Sequence, residues 1–230
     1  MEGLLLSGLL HLGSGEGQTP TDGDSPDNRS LLDVGPDLGQ TLFPALGLLV
    51  SGKHTEIVHV RDFGVYAKLG ETLDDAAGEA FDKVARMLNL GYPGGPVICD
   101  FARRGTKGKI VLPIPMERSN NLNFSYSGLK TVSLYKIKEL RESGLSEKEW
   151  VYDFCRSFLD VIKESISIKL ERAIQENGDI KSVFVGGGVF NSEEITRYIG
   201  KLVRSYGLRY IYPKQEYRGD NAAMIGIAAY

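Results

Sequence analysis

The sequence predicts an α/β protein with a helical insert, and three observations support this fold class. Two β-rich runs, "PALGLLV" and "TEIVHV", flank a short polar turn and resemble a hairpin. The middle of the chain carries long helical patterns, and "KSVFVGGGVFNSEEITRYIG" resembles a strand, a glycine turn and a helix. Strands that alternate with helical patterns are typical of layered α/β folds.

Length and composition indicate an ordinary globular protein. The chain has 230 residues, of which 42% are hydrophobic and 25% charged, enough for one large or two small domains. The net charge of −3 predicts no general affinity for nucleic acid, so RNA contact requires a local basic patch or a partner. Lys and Arg do not cluster with aromatic residues along the sequence as an RNA-binding platform would require.

The two cysteines and the hydropathy pattern predict a cytoplasmic protein. Cys99 and Cys155 both lie in apolar surroundings, which does not suggest a disulfide framework. No apolar run approaches the ~18 residues of a membrane span, so no membrane partner is expected. The first residues, "MEGLLLSGLLHLG", lack the basic region and cleavage site of a signal peptide.

We predict two regions. Residues 1–40 combine a possible short helix with a flexible segment rich in Gly, Ser, Asp and Pro. Residues 41–230 form the folded lobe, with the helical insert at roughly 97–180.

The first long helix is expected from about Leu73 to Leu90. Its apolar residues keep the i, i+3, i+4 spacing, but Gly78 interrupts it at a cost of about 1 kcal/mol relative to Ala. Like charges one turn apart cost a few tenths of a kcal/mol per pair. The acids are therefore expected either to pair with basic neighbours or to face a ligand. The acids are Asp74, Asp75, Glu79 and Asp82, and the possible pairs are Glu79–Lys83 and Asp82–Arg86.

Later elements follow from caps and turns. "SGLKTVSLYKIKELRESG" predicts a second helix that ends at Gly144, and Ser146 with Glu149 forms a capping box for a third. Asn191 and Glu194 have the same spacing before the helix that follows the glycine turn. "LRYIYP" predicts a strand, and "GDNAAMIGIAAY" a last helix.

Two glycine turns are candidate phosphate sites. In "VFVGGGVFNSEE" and "LVSGKHT", bare backbone and exposed amides can hold a ligand, although tight turns use the same residues. "YPGGP" alone indicates a turn. Asp220 is either an N-cap or a ligand for a metal or phosphate. No pair of histidines has metal-site spacing.

Five segments together resemble one family. The segments "FPALGLLVSGKHT", "GETLDDAAGEAFDKVARMLNLGYPGGP", "FSYSGLKT", "VGGGVFNS" and "GDNAAMIG" occur in the order and approximate spacing of the tRNA threonylcarbamoyladenosine synthase family (TsaD, also called the glycoprotease family). The resemblance covers residues 43–230.

This resemblance implies a fold and an activity. The fold is the second lobe of the actin/Hsp70/sugar-kinase superfamily, which is ribonuclease H-like and binds nucleotides. The activity is a transferase that moves a threonylcarbamoyl group from its adenylate to the amino group of an adenosine. That adenosine lies beside the anticodon in tRNAs that read codons beginning with A.

The resemblance also implies site residues. Asp82 and Gly95 match positions that bind the nucleotide or substrate, and Asp220 matches the metal-binding aspartate. Asn191 matches the asparagine after the glycine pair, although the family usually has one more residue in that turn. The remaining matches are the phosphate loop (Leu49, Val50, Ser51, Gly52, Lys53) and the glycine pair (Gly187, Gly188).

Departures from the family pattern lead us to expect an N-terminally truncated member. The family begins with a whole lobe and carries a paired-histidine motif, His-Met-Glu-Gly-His-Leu-Leu-Ser, whereas this sequence begins "MEGLLLS" with Leu4 at the second histidine. Of the metal ligands only Asp220 remains, so the expected divalent metal (iron, zinc or magnesium class) has an incomplete ligand set. Lys53 replaces a glycine of the family's "SGGHT".

Two functions follow from the resemblance. The chain is expected either to catalyse threonylcarbamoyl transfer to tRNA, or to be a catalytically inactive nucleotide-binding scaffold, partner subunit or remnant of that enzyme. The expected ligand is ATP or threonylcarbamoyl-adenylate, and no catalytic side chain is assigned. Expected partners are tRNA, other subunits of the modification complex, and a second copy in a homodimer.

Overall fold

A computed structural model describes residues 42–62 and 64–212 of the chain. The predictions for residues 1–40, for the last helix and for Asp220 lie outside the described residues.

Five strands form one mixed sheet in the order β3–β2–β1–β4–β5. The first three are antiparallel, and β4 and β5 run parallel to β1. This is the strand order of a ribonuclease H-like lobe, so the α/β class is confirmed. The strands are β1 (Ala45–Val50), β2 (Thr55–Asp62), β3 (Val65–Glu71), β4 (Ser182–Gly186) and β5 (Arg209–Ile211).

The sequence pattern did not predict strand β3. It lies at one edge of the sheet, and its first four residues are all exposed. Because neither face of this part is covered, the strand lacks the apolar–polar alternation by which a half-buried strand is recognised.

Five α-helices and one short 3₁₀ turn complete the described part of the chain. Four of the helices lie between β3 and β4, and the fifth lies between β4 and β5. The helices are α1 (Ala77–Met87), α2 (Gly94–Ala102), α3 (Ser127–Glu142), α4 (Glu147–Glu176) and α5 (Glu193–Ser205), and the 3₁₀ turn is Gly188–Asn191.

Helices α3 and α4 confirm the sequence predictions. The capping box forms at the start of α4: the Ser146 amide donates to the Glu149 carboxylate at 2.7 Å, and Glu149 is the third residue of the helix. Helix α4 ends before Asn177, as predicted. It is buried along most of its length and packs against α2 and α5.

The second predicted capping box is wrong. The N-cap of α5 is Ser192, whose hydroxyl accepts a hydrogen bond from the Ile195 amide. Asn191 belongs to the 3₁₀ turn, and the Glu194 side chain instead reaches Arg156 and Lys163 on α4. Tertiary ion pairs therefore determine where Glu194 points.

Two further boundaries differ from the prediction. Helix α1 begins at Ala77, four residues after Leu73, because Thr72 pairs with Phe124 and the Asp74 carboxylate bonds to the start of α3. Helix α2 begins within the stretch that resembled a plain turn.

The core lies mainly on the helical face of the sheet. Alternate residues of β1, namely Leu46, Leu48 and Val50, pack there with the helices. A smaller cluster, which includes Phe43 and Phe184, covers part of the opposite face. Within the described ranges, no helix is both long and apolar enough to cross a membrane.

Candidate functional site

The two glycine turns lie side by side at one edge of the sheet. Strands β1 and β4 are parallel, and Leu49 pairs with Gly186, so both strands end at the same edge. The turn after β1, Ser51–His54, therefore neighbours the turn after β4, Gly187–Asn191. Ligands of open α/β sheets commonly bind at the carboxyl ends of parallel strands.

Gly187, at the start of the second turn, lies directly against the end of β1. Its backbone has φ 99° and ψ 155°, a region essentially restricted to glycine. A Cβ at this position would overlap the Val50 carbonyl oxygen. A glycine is therefore required at position 187 for packing, independently of any ligand.

Ser51 fixes the conformation of the first turn. Its hydroxyl accepts hydrogen bonds from the amides of Lys53, at 3.2 Å, and His54, at 3.0 Å. The Ser51 amide donates to the His54 carbonyl at 2.7 Å. Gly52 and Lys53 are exposed, and a Cβ on Gly52 would meet no atom within 4 Å. The turn thus presents the Gly52 backbone and the Lys53 charge to open space.

Gly78 lets helix α1 pack directly on this turn. The Gly78 amide donates to the Ser51 carbonyl at 3.1 Å. A Cβ on Gly78 would lie 2.7 Å from the Ser51 oxygen and 2.8 Å from the Gly52 Cα. The absence of a side chain at Gly78 therefore allows helix α1 to pack against the first turn.

Thr55 is a site residue to which sequence reasoning gave no role. Its buried hydroxyl accepts a hydrogen bond from the Ala77 amide, the first of helix α1, at 3.0 Å. The N-cap of α1 is Ala76, which has no capping side chain. Because alanine cannot cap a helix, the first amides of α1 need hydrogen-bond acceptors from another part of the chain. The missing cap was the signal in the sequence that a residue such as Thr55 would be needed.

Asp82 joins helix α1 to the start of α2. Its Oδ1 accepts a hydrogen bond from the Gly94 amide at 2.7 Å, which places a negative charge at the α2 N-terminus. A Cβ on Gly94 would lie 2.7 Å from the Asp82 Cα, so the two helices pack closely. Gly95 follows, and a Cβ there would enter open space.

Helix α2 also contacts the second glycine turn. The Cys99 thiol, on the turn of α2 after Gly95, donates to the Ser192 hydroxyl at 3.5 Å. Ser192 directly follows Asn191, which is exposed, as is Gly188. A Cβ on Gly188 would meet no atom within 4 Å.

The structure therefore brings most of the predicted site positions to one edge of the sheet. The edge comprises the two glycine turns and the N-termini of α1 and α2, with Asp82 between them. Leu49 and Val50 are buried in β1 and support the turn from below. Ligand roles for these residues remain predictions. The predicted positions at this edge are Ser51, Gly52, Lys53, Asp82, Gly95, Gly187, Gly188 and Asn191.

The four acids Asp74, Asp75, Glu79 and Asp82 are satisfied in two ways, by ion pairs with Lys83 and by hydrogen bonds from helix N-termini. Lys83 contacts Asp75 at 2.7 Å and the predicted partner Glu79 at 2.8 Å. Asp82 does not pair with Arg86 in the described part of the chain; it caps α2 instead.

The remaining acid, Asp74, caps helix α3. It accepts the Tyr126 and Ser127 amides at 2.8 and 3.1 Å, and the hydroxyls of Ser125 and Ser127 at 2.6 Å. Burial opposes ionisation of Asp74, but these hydrogen bonds outweigh it and lower its pKa to about 2. Asp74 is thus a structural carboxylate at neutral pH.

The two cysteines are not activated nucleophiles. Burial raises the pKa of the Cys99 thiol, and burial raises that of Cys155 to about 12. Both side chains are thiols at neutral pH, and both pack in or against the helical core.

The described residues do not fit a metal ion by themselves. Among residues 42–62 and 64–212, no group of three or more His, Cys, Asp and Glu side chains is arranged to hold one. Asp220 lies outside these ranges. No chemical step is therefore assigned to a metal.

The fold creates a basic–aromatic cluster that the linear sequence does not show. The Arg104 guanidinium lies 5.5 Å from the ring centre of Tyr152, 48 residues away, and the ring of Phe101 is 5.1 Å from the same ring.

These features define a ribonuclease H-like lobe whose glycine-lined edge can receive a ligand. The chain belongs to the tRNA N6-adenosine threonylcarbamoyltransferase family (TsaD), whose family model matches residues 33–227. The family assignment made from the five segments is thus confirmed.

Curated relatives of that name are similar over most of this chain. The Ralstonia pickettii (strain 12J) protein is 44% identical over 190 residues, which are 81% of this chain and 54% of the relative. The Paraburkholderia xenovorans (strain LB400) protein is 43% identical over 186 residues, with the same coverage of both chains. The chain spans about half the length of these relatives.

Two solved structures with a similar fold have lower sequence identity to this chain. Component A of (R)-2-hydroxyglutaryl-CoA dehydratase from Acidaminococcus fermentans gives a TM-score of 0.45 at 14% identity, over 83% of this chain and 64% of that chain. HypF from T. kodakarensis gives a TM-score of 0.46 at 22% identity, over 72% of this chain and 20% of that chain.

Proposed function

We propose that this chain binds the adenylate in the threonylcarbamoyl modification of tRNA. The reaction transfers the threonylcarbamoyl group from its adenylate to the amino group of the adenosine beside the anticodon. The family membership supports the reaction, and the glycine-lined edge supports nucleotide binding. The observation that carries the proposal is that two separate glycine turns and the start of α2 converge on one edge with open space before them.

The phosphate is proposed to lie against the two glycine turns. A side chain at Gly52 or Gly188 would occupy open space that a phosphate oxygen can fill, and bare backbone lets the amides approach it. Lys53 is exposed beside Gly52 and adds a positive charge. Lys53 is therefore assigned a role in phosphate binding.

The nucleoside is proposed to lie towards α1 and α2. Asp82 uses Oδ1 to hold the Gly94 amide, and its second oxygen is the proposed acceptor for a hydroxyl of the nucleotide. Gly95 offers bare backbone at the α2 N-terminus. Asp82 thus positions the start of α2 and contacts the nucleotide at the same time.

The transfer itself needs an acyl substitution. The adenosine amino nitrogen forms a bond to the threonylcarbamoyl carbonyl carbon, the bond from that carbon to the phosphate oxygen breaks, and the amino group loses a proton as AMP leaves. The lobe would contribute by orienting the adenylate, which lowers the entropic part of the barrier. No described side chain is assigned as acid, base or nucleophile.

A scaffold function is the second candidate, favoured by the ion pairs and caps of the acidic residues. Asp74 and Asp82 cap helices, and Asp75 and Glu79 pair with Lys83. Such an arrangement stabilises a binding surface without requiring chemistry on this chain. In that case partner subunits, or a second copy, would complete the active site.

The change Asp82→Ala is expected to weaken ATP binding at least tenfold and to cost about 1 kcal/mol of stability through the lost α2 cap. Isothermal titration calorimetry with ATP measures the first effect. Asp100→Ala is the matched control, since Asp100 lies exposed on α2 and its side-chain ion pairs with described residues are long contacts with Arg103 and Arg104.

Equal ATP affinity of Asp82→Ala and the parent chain would contradict the proposed site. A threonylcarbamoyl-transfer assay with tRNA then separates the two candidates. Transfer supports the enzyme, and nucleotide binding without transfer supports the scaffold.

A further inference from the structure

A short basic segment follows helix α2, and we call residues 103–109 the basic loop. Its four cations are exposed within "RRGTKGK", with 70%, 62% and 61% of the side chain accessible for Arg103, Arg104 and Lys109. The chain as a whole carries a net charge of −3, so this concentration of positive charge is local. The four residues are Arg103, Arg104, Lys107 and Lys109.

The basic loop is held firmly on helix α4. A Cβ on Gly105 would overlap the Tyr152 carbonyl oxygen, so the loop backbone lies directly on the helix. The buried Asp153 accepts the Thr106 amide at 2.7 Å and contacts Lys109 at 3.1 Å. Burial raises the pKa of Asp153, but these contacts outweigh it and lower the pKa, so the anchor is ionised at neutral pH. A fixed loop presents its cations without a large ordering cost.

The positive charge of the loop exceeds the nearby negative charge. Asp100 lies 3.9 Å from Arg103 and 3.8 Å from Arg104, which are long contacts between exposed groups and worth little. Asp153 balances Lys109 alone. No ion pair of Lys107 occurs in the described part of the chain. Four cations and two carboxylates leave an excess of about two positive charges.

The loop borders the candidate site. Helix α2 has nine residues, so its two ends are about 13 Å apart, with Gly95 at one end and the basic loop at the other. Cys99 precedes Arg103 by four residues, and its thiol reaches Ser192 after the second glycine turn. A polyanion with its reacting base at the glycine-lined edge is long enough to span this distance.

We propose that the basic loop binds the phosphate backbone of tRNA near the modified adenosine, which rests on the proposed function. Exposed Arg and Lys side chains with few carboxylate partners suit a polyanion, and the Tyr152 ring holds the Arg104 guanidinium in place. An acidic protein segment is the alternative ligand. The spacing from the glycine-lined edge favours tRNA, because its adenosine and its phosphate backbone belong to one molecule that spans this distance.

The test is tRNA binding by the triple variant Arg103→Ala/Arg104→Ala/Lys107→Ala in the full chain. The probe is an unmodified transcript of a tRNA that reads codons beginning with A, followed by fluorescence anisotropy at several salt concentrations. The matched control removes three exposed lysines elsewhere: Lys138→Ala/Lys148→Ala/Lys201→Ala. Both variants lose the same charge, so a general electrostatic effect would be equal in the two.

We expect the loop variant to bind tRNA at least tenfold more weakly than the control at about 0.1 M salt. Each lost phosphate contact should reduce the slope of log K against log salt by about 0.7–0.9. ATP affinity should be unchanged. Equal tRNA affinity of the two variants would overturn the proposal, as would a loop effect on poly-glutamate binding without one on tRNA.

The outcome is separable from that of the proposed function. Loop-dependent tRNA binding without threonylcarbamoyl transfer would leave the inference standing and count against the enzyme. Threonylcarbamoyl transfer with equal tRNA affinity in both variants would support the enzyme and overturn the inference about the loop.

Discussion

The change Gly187→Ala is expected to lower the free energy of unfolding by about 2–6 kcal/mol. Two costs add up at this position. A non-glycine residue at φ 99° and ψ 155° is strained by about 1–3 kcal/mol. The added Cβ would also overlap the Val50 carbonyl oxygen, and overpacking of this kind costs about 1–3 kcal/mol.

The matched control is Gly188→Ala, one residue further along the same turn. A Cβ there meets no atom within 4 Å, so its free energy of unfolding should change by less than about 1 kcal/mol. Urea denaturation followed by circular dichroism measures both variants. Since Gly188 faces the proposed phosphate position, its variant should lose ATP affinity while it stays folded. Equal stability of the two variants would contradict the described turn.

The change Glu194→Ala is expected to cost about 2–3 kcal/mol of stability, which is less than the 3–5 kcal/mol typical of fully buried pairs. Glu194 accepts hydrogen bonds from Arg156, at 2.5 and 3.0 Å, and from Lys163 at 2.5 Å. Both cations have only 10–12% of the side chain exposed, whereas Glu194 has 35%. Without Glu194, Asp160 alone remains to balance two largely buried cations.

The same variant should flatten the acid dependence of stability. Burial opposes ionisation of Glu194, but Arg156 and Lys163 outweigh it and lower its pKa from 4.5 to about 2. A lowered pKa means that the carboxylate stabilises the fold above its unfolded pKa and that this stabilisation is lost as the pH falls from about 4.5 towards 2.

The matched control for this change is Glu193→Ala. Glu193 is the preceding residue of α5, and its only ion pair in the described part of the chain is a long, exposed contact with Arg197 at 4.0 Å. Urea midpoints are measured between pH 3 and pH 7. The midpoint of Glu193→Ala should fall with decreasing pH as steeply as that of the parent chain, and the midpoint of Glu194→Ala should fall less steeply. Matching profiles for the two variants would show that the Glu194 network is not formed.

Short-range sequence patterns predicted the helices that short-range interactions determine. Helices α3 and α4 carry long periodic patterns, and the Ser146–Glu149 capping box lies within four consecutive residues. Both were predicted with nearly correct ends. Strand β3 and helix α2 were missed because their stability comes from distant parts of the chain. Strand β3 depends on pairing with β2, and the start of α2 is capped by Asp82, twelve residues earlier.

The sequence predicted where the two glycine turns of the candidate site lie better than it predicted the contacts around them. The glycine motifs indicated both turns, and parallel strands explain why residues about 135 positions apart lie at one edge. The roles of Thr55, Asp74 and Asp153 could not be predicted, because each caps or anchors a segment that is distant in sequence. The same holds for Glu194, whose spacing from Asn191 suggested a local cap that the fold does not use.

One nucleotide is proposed to contact both glycine turns and the start of α2. The most direct measurement is the change in backbone amide chemical shifts of the ¹⁵N-labelled chain when ATP is added. The largest changes are predicted at Gly52, Gly95, Gly188 and Val189, with small changes on α3. Changes confined to one turn, or largest outside this edge of the sheet, would contradict a single site.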